Sequence, residues 1–246
     1  MPLVTGNGLN NTITPSSASA GVTGWYGGLW GDDTIDGGAG ADDMNGGDGN
    51  DTYHVDNVGD IVREDWDDVS GGTADTVLAT VTYSIGPGTF RNQGHGIENL
   101  TLMGSANINA TGNSKNNILN GNSGNNVLNG GAGNDKLFGG AGNDSINGGD
   151  GVDTLIGGDG NDTLTGGAGA DKFRFNSLSE KVDTIQDFFR TQGDKIEVSK
   201  SGFGATSLSQ ISYNAGSGSL SFLGTEFAKI ANLPAGFAVS LDVVLI

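Results

Sequence analysis

Eight aspartates stand at a regular spacing: Asp33, Asp42 and Asp51 in one group, and Asp135, Asp144, Asp153, Asp162 and Asp171 in another, each nine residues from the next. Two residues before each member of the second group stands a glycine: Gly133, Gly142, Gly151, Gly160 and Gly169. A carboxylate is a hard oxygen ligand, and so is a backbone carbonyl, which glycine can turn inward because it reaches dihedrals closed to other residues. Flexible, all-oxygen shells suit calcium better than magnesium, which demands a small, regular octahedron. Zinc is disfavoured, since the chain has no Cys and only His54 and His95. The chemistry implied is binding of several calcium ions by these thirteen residues.

The elements that hold them follow from the repeat. From Gly112 to Arg174 the chain reads GNSKNNILN, GNSGNNVLN, GGAGNDKLF, GGAGNDSIN, GGDGVDTLI, GGDGNDTLT, GGAGADKFR without a gap. A shorter block, GLWGDDTID, GGAGADDMN, GGDGNDTYH, runs from Gly28 to His54. Positions 1, 2 and 4 are mostly Gly, and position 6 is Asp or, at Asn117 and Asn126, Asn. Position 8 is always a sizeable apolar or aromatic residue, from Ile35, Met44 and Tyr53 to Leu164 and Phe173. Positions 1 to 6 predict a tight turn and positions 7 to 9 a short strand whose middle side chain points inward.

Two repeats then make one turn of a coil, with parallel strands about 4.8 Å apart and position 8 stacked inside. Loops on one side belong to repeats n and n+2. Asp135 should therefore face Asp153, Asp144 face Asp162, Asp153 face Asp171, and Asp33 face Asp51. Like charges about 5 Å apart repel strongly unless a cation lies between them. Ordering so glycine-rich a backbone is costly, and one buried side chain per repeat returns little, so the block is expected to be largely disordered without calcium. A neutral amide is a weaker ligand, so the Asn117 and Asn126 loops are expected to be weak sites or none.

Composition agrees. Gly occurs 46 times in 246 residues, far above a usual share of about 7 %, and Asp plus Glu outnumber Lys plus Arg by 29 to 11, a net charge of −18. Such a surface repels nucleic acid and anionic lipid and attracts cations. No apolar run is long enough for a membrane span, and residues 1–20 are polar, without the apolar core of a signal peptide.

The nonapeptide resembles that of the RTX (repeats-in-toxin) family, G-G-x-G-x-D-x-U-x. The resemblance implies a calcium-filled parallel β-roll, export by a type I secretion machine and folding outside a bacterial cell. It implies a metal-binding role for the eight position-6 aspartates. Residues 170–246 are similar to the region that follows the roll in serralysin-like secreted proteins, through Ala170–Phe175, Val182–Phe188 and Gly193–Ile196. That likeness implies a segment closing the end of the roll, with Asp183 and Asp187 either binding a terminal calcium or capping turns. The terminal Asp242-Val243-Val244-Leu245-Ile246 looks like an uncleaved type I secretion signal and equally reads as a final buried strand.

The rest of the chain predicts an all-β protein: a parallel β-roll, that is, a two-strand β-helix of nonapeptide repeats, with a β insertion and a C-terminal β cap. Residues 1–54 hold an N-terminal segment and the short block, 55–111 a β insertion stacked between the blocks, 112–176 the main roll, and 177–246 the cap with the secretion signal. Alternation predicts strands over Thr76–Ile85 and Ile97–Met103. In the cap, Ile196, Val198, Leu220, Phe222, Phe227, Ile230 and Val239 suggest short strands, and Val182–Phe189 a brief helical turn. Trp25, Tyr26 and Trp30 are expected to cover the first roll, with carbohydrate stacking the sharper alternative, and Asp65, Asp67 and Asp68 to form a solvated acidic loop, with binding of another cation the alternative.

Catalytic machinery is not expected. No H-E-x-x-H, G-x-S-x-G or G-x-x-x-x-G-K-[ST] motif occurs, and carboxylates recurring every nine residues suit metal stacking better than the paired acids of a glycosidase. The reading is a secreted calcium-binding protein with a structural, surface or adhesive role and no enzyme activity. The alternatives are the secretion and folding module of a secreted enzyme, such as a serralysin-like protease or alginate epimerase, and a surface-polysaccharide binder.

Overall fold

The computed structural model describes residues 31–64, 74–86, 96–232 and 234–246, together with the backbone of 3–5, 12–13 and 25–27. It forms two compact units, residues 1–104 with 108–118, and residues 105–107 with 119–246. The chain is all-β apart from a few single helical turns, and its strands pair almost wholly in parallel, as a β-roll.

In the second unit the repeats form the strands Val127–Ala132, Lys136–Ala141, Ser145–Asp150, Thr154–Asp159, Thr163–Ala168 and Lys172–Phe175. Alternate strands belong to opposite sheets. Leu128 pairs with Ile146 and Ile146 with Leu164 on one side, and Leu137 with Leu155 and Leu155 with Phe173 on the other. These six side chains are fully or almost fully buried, which gives the apolar stack down the middle of the coil. The strands run longer than positions 7 to 9. Extended pairing resumes at positions 2 and 3, for example Gly131 with Gly149 and Ala132 with Asp150, so only positions 4 to 6 form the turn.

In the first unit the same coil continues through what the sequence suggests to be an insertion. Thr34–Asp36, Thr52–Val55, Thr76–Ala79 and Asn99–Leu102 pair in succession. Trp25–Gly27, Asp43–Asn45 and Ile61–Arg63 pair likewise, and Tyr83–Ser84 pairs with Ala110–Thr111. The register step lengthens, since Thr52 pairs with Thr76 and Thr76 with Asn99, because the connecting loops are longer while the strands keep their inward side chains. The single strand expected over Thr76–Ile85 is two. Thr80 donates its N–H to Val55 O at 2.9 Å and the chain then bends, leaving Val77, Ala79, Tyr83 and Ile85 buried but Val81 only half-buried. The segment expected over Ile97–Met103 is the strand Asn99–Leu102.

The C-terminal region adds strands to both sheets of the second unit. Asp183–Ile185 pairs with Thr163–Ala168 and then with Thr225–Ile230. Lys195–Val198 pairs with Lys172–Phe175 and then with Val243–Leu245. The antiparallel strands Ile211–Tyr213 and Ser219–Phe222 complete the first of these. Phe175, Phe203, Phe222 and Phe227 meet edge to face at 5.2–5.7 Å, a core much thicker than that of the repeats.

Two expectations fail locally. The helical turn expected over Val182–Phe189 lies earlier, at Leu178–Glu180, where Ser177 accepts the N–H of Ser179; Asp183-Thr184-Ile185 is captured by parallel pairing instead. Val239 belongs to a one-turn helix, Val239–Asp242, pinned where Asp242 accepts the N–H of Ala238 at 2.7 Å. Among the described residues no helix is long and apolar enough to cross a membrane.

Candidate metal centre

Asp51, Asp144, Asp153, Asp162 and Asp171 are each fixed by the residue eighteen positions earlier. The Oδ1 of each accepts the backbone N–H of the equivalent residue in the preceding turn: Asp135 to Asp153 at 2.7 Å, Asp144 to Asp162 at 2.7 Å, Asp153 to Asp171 at 2.9 Å and Asp33 to Asp51 at 2.7 Å. All four expected facing pairs are brought together, joined by a backbone-to-carboxylate bond at each step. The aspartates are at most 3 % exposed.

The other oxygen decides the chemistry. Oδ2 of Asp51, Asp144, Asp153, Asp162 and Asp171 is buried and accepts no hydrogen bond, in a state where a buried acceptor normally has one. Position 1 explains why. The open face of Gly148 looks onto both Asp153 Oδ2 and the carbonyl of Gly166 in the next turn, and a Cβ there would collide with both. The same holds at Gly139, with Asp144 Oδ2 and the carbonyl of Gly157. Glycine at position 1 thus keeps an oxygen-lined space clear beside each orphaned oxygen. The position-1 carbonyls are donors that the sequence reading passed over.

The position-4 glycines stack on one another from turn to turn. Gly151 has φ +140, and its Cα lies against the carbonyl of Gly133; Gly169 lies likewise against Gly151, and Gly160 against Gly142. Outside these columns, position-5 asparagines make their own ladder, as in Asn143 N–H to Asn125 Oδ1 at 2.8 Å and Asn161 N–H to Asn143 Oδ1 at 2.9 Å.

Burial pushes the carboxyls up. Asp144 and Asp153 rise from 3.8 to about 6, through desolvation opposed by the hydrogen bond each accepts and reinforced by the next aspartate. Asp162 and Asp171 rise for the same first reason. The ladder therefore holds negative charge badly on its own. Asn117 and Asn126 solve the problem differently. Asn126 accepts the N–H of Asn122 at 2.9 Å and donates to Asn122 Oδ1 at 3.1 Å, and Asn117 donates to Glu98 O and Asn113 Oδ1. Their NH₂ groups supply inside the loop the positive hydrogens that an aspartate lacks.

The ladder extends beyond the repeats. Asp42 N–H bonds Asp60 Oδ1 at 3.0 Å, Asp51 N–H bonds Asp75 Oδ1 at 2.6 Å, and Asp75 N–H bonds Glu98 Oε2 at 3.1 Å. In the second unit Asp162 and Asp171 bond Asp183 and Asp194 at 3.0 and 3.1 Å. Asp187 accepts the N–H groups of Gly166 and Gly167 at 2.8 and 2.9 Å. Asp60, Asp75, Glu98 and Asp194 were missed by counting glycines. Each begins an acid-x-apolar triplet (Asp60-Ile61-Val62, Asp75-Thr76-Val77, Glu98-Asn99-Leu100, Asp194-Lys195-Ile196), which is positions 6 to 8 without the glycine frame.

Residues 28–61, 111–146 and 147–177 match the RTX calcium-binding nonapeptide repeat, in four copies. The chain carries RTX calcium-binding repeats. No curated protein matches it. RTX repeats bind calcium, and the donor set here fits that ion: buried carboxylate oxygens without partners beside backbone carbonyls, with no sulfur. His54 is exposed. His95, Trp30, Asp65, Asp67 and Asp68, and the side chains of Trp25 and Tyr26, lie outside the described residues.

Proposed function

We propose that this chain is a secreted calcium-binding protein whose RTX repeats condense into the β-roll when calcium becomes available outside a bacterial cell, and that its role is structural or surface-associated rather than catalytic. The observation that carries the reading is the row of buried, unpartnered Oδ2 atoms on Asp51, Asp144, Asp153, Asp162 and Asp171. The position-6 aspartates and the glycine carbonyls around them, Gly133, Gly142, Gly151, Gly160 and Gly169 included, hold the ions. Calcium supplies the positive charge that these loops lack.

At low cytosolic calcium the ladder's mutual repulsion keeps the chain extended and fit for export through a type I machine. Outside, calcium concentrations match the affinities of extracellular modules, about 10⁻⁴–10⁻³ M. A calcium titration followed by far-UV circular dichroism, with magnesium as control, tests this. The expected result is a cooperative coil-to-β transition near millimolar calcium and none with magnesium. Full β structure in excess chelator would sink the proposal.

A further inference from the structure

One acidic cluster in the first unit departs from the repeat pattern. Asp51, the last position-6 aspartate of the short block, meets Glu64 and Asp75, with one carboxylate oxygen of each within 4.8 Å of the others. All three are buried, at 1 %, 1 % and 0 % exposure. Asp51 and Asp75 each keep an Oδ2 that accepts no hydrogen bond. That of Asp51 is turned into the cluster, for the open face of Gly46 looks onto both Asp51 Oδ2 and the Tyr53 hydroxyl, and the hydroxyl donates to Glu64.

Glu64 holds its place by design of the coil. It follows the strand Ile61–Arg63 directly, where an RTX repeat has its position-1 glycine. There it reaches back over the preceding loop and accepts the N–H of Gly47 at 2.8 Å. Tyr53 stands at position 8, where the main block has aliphatic residues or Phe. Its hydroxyl accepts the Gly46 N–H at 2.7 Å and ties the core to the loop. Asp75 in turn accepts the Asp51 N–H. The nearby cation, Lys115, is bound to Glu98 at 3.1 Å. Three carboxylates thus converge with no cationic side chain among them in the described residues.

We infer that Asp51, Glu64 and Asp75 form a cation site that takes one calcium ion and closes the short block, with a glutamate standing where a repeat has its position-1 glycine. Hard oxygen donors select a hard ion, and carboxylates fixed in irregular, buried loops suit calcium's flexible oxygen shell better than magnesium's small, regular octahedron. Unlike the repeat loops, this site draws one ligand from a repeat and two from the segment after it, so the repeat pattern does not count it. The choice of ion rests on the calcium reading of the repeats.

The test is a count of bound calcium per full-length chain, by equilibrium dialysis and atomic absorption at saturating calcium. Glu64→Gln keeps the shape and an acceptor for Gly47; it is expected to hold one calcium fewer than the parent with unchanged far-UV circular dichroism. Tyr53→Phe keeps all three carboxylates and is expected to retain the parent count. If Glu64→Gln does not reach the parent's β content, the count is taken on Asp75→Asn, which leaves Glu64 and its bonds in place. A count unchanged in the folded variant overturns the inference. A parent chain that retains no calcium at all overturns instead the reading of the repeats.

Discussion

Replacing Asp153 by Asn should stabilise the calcium-free chain and shrink the stabilisation that calcium gives it. The amide keeps an oxygen for the Asp135 N–H, which Asp153 Oδ1 accepts at 2.7 Å, and puts an NH₂ where Oδ2 has no partner. Burial raises the Asp153 carboxyl from 3.8 to about 6. That shift corresponds to about 3 kcal/mol of penalty at neutral pH, which solvent screening at the loops lowers to about 1–3 kcal/mol. Without calcium the variant should therefore be more stable by that amount, raising its folded fraction in chelator. In about 10 mM calcium, with a site dissociation constant of about 10⁻⁴ M, one ion contributes about 2.7 kcal/mol, and removing a ligand charge forfeits much of it. Far-UV circular dichroism at pH 7.5 measures both, as the folded fraction in chelator and as the urea midpoint in calcium. No stabilisation in chelator, or an undiminished gain from calcium, would refute the claim that the ladder's charge is tolerable only with the ion.

The calcium-free chain should respond to pH in the direction opposite to ordinary acid denaturation. Asp60, Asp144 and Asp194 are raised to about 6, Asp51 to about 7 and Asp75 to about 8, in each case first by desolvation. A carboxyl with a raised folded pKa stabilises fully below its unfolded value near 4 and loses that contribution as pH rises through the folded value. In chelator, β structure should be greatest near pH 4 and fall between about pH 6 and 8, and circular dichroism against pH would show a flat or rising profile if this is wrong. Gly151→Ala should weaken the roll by about 1–3 kcal/mol even in calcium, since φ is +140 and the new Cβ would meet the carbonyl of Gly133; an unchanged urea midpoint would contradict the position-4 column.

The repeat could be read from sequence because one period fixes three things at once: the glycines that turn, the aspartates that stack and the apolar residue that goes inside. Leu155 and Asp153 lie where the nine-residue spacing puts them. The coil around Thr76 and Asn99 was not legible as coil, because its loops break that period while its strand pairing does not. Asp60, Asp75 and Asp194 sit on the ladder without the glycines that signalled the others. The role of position 1 was hidden for another reason: Gly148 is needed for what lies across from it, Asp153 Oδ2 and Gly166 O, and not for its own dihedrals. The single helical turn at Val239–Asp242 hangs on one carboxylate cap, too small a signal beside the alternation of Val243–Leu245.

The eighteen-residue bond has a direction. At every rung the amide belongs to the earlier turn and the carboxylate to the later one, from Asp33 through Asp51 to Asp75, and from Asp135 through Asp153 and Asp171 to Asp194. The roll is therefore a one-way zipper whose teeth arrive last. A chain made N-terminus first presents only open amides until the following turn has been added, and the final rungs wait for Asp183, Asp187 and Asp194. Losing residues from the start would strand a carboxylate; losing them from the end would leave the last glycine loop, Gly166 and Gly167, without its clasp.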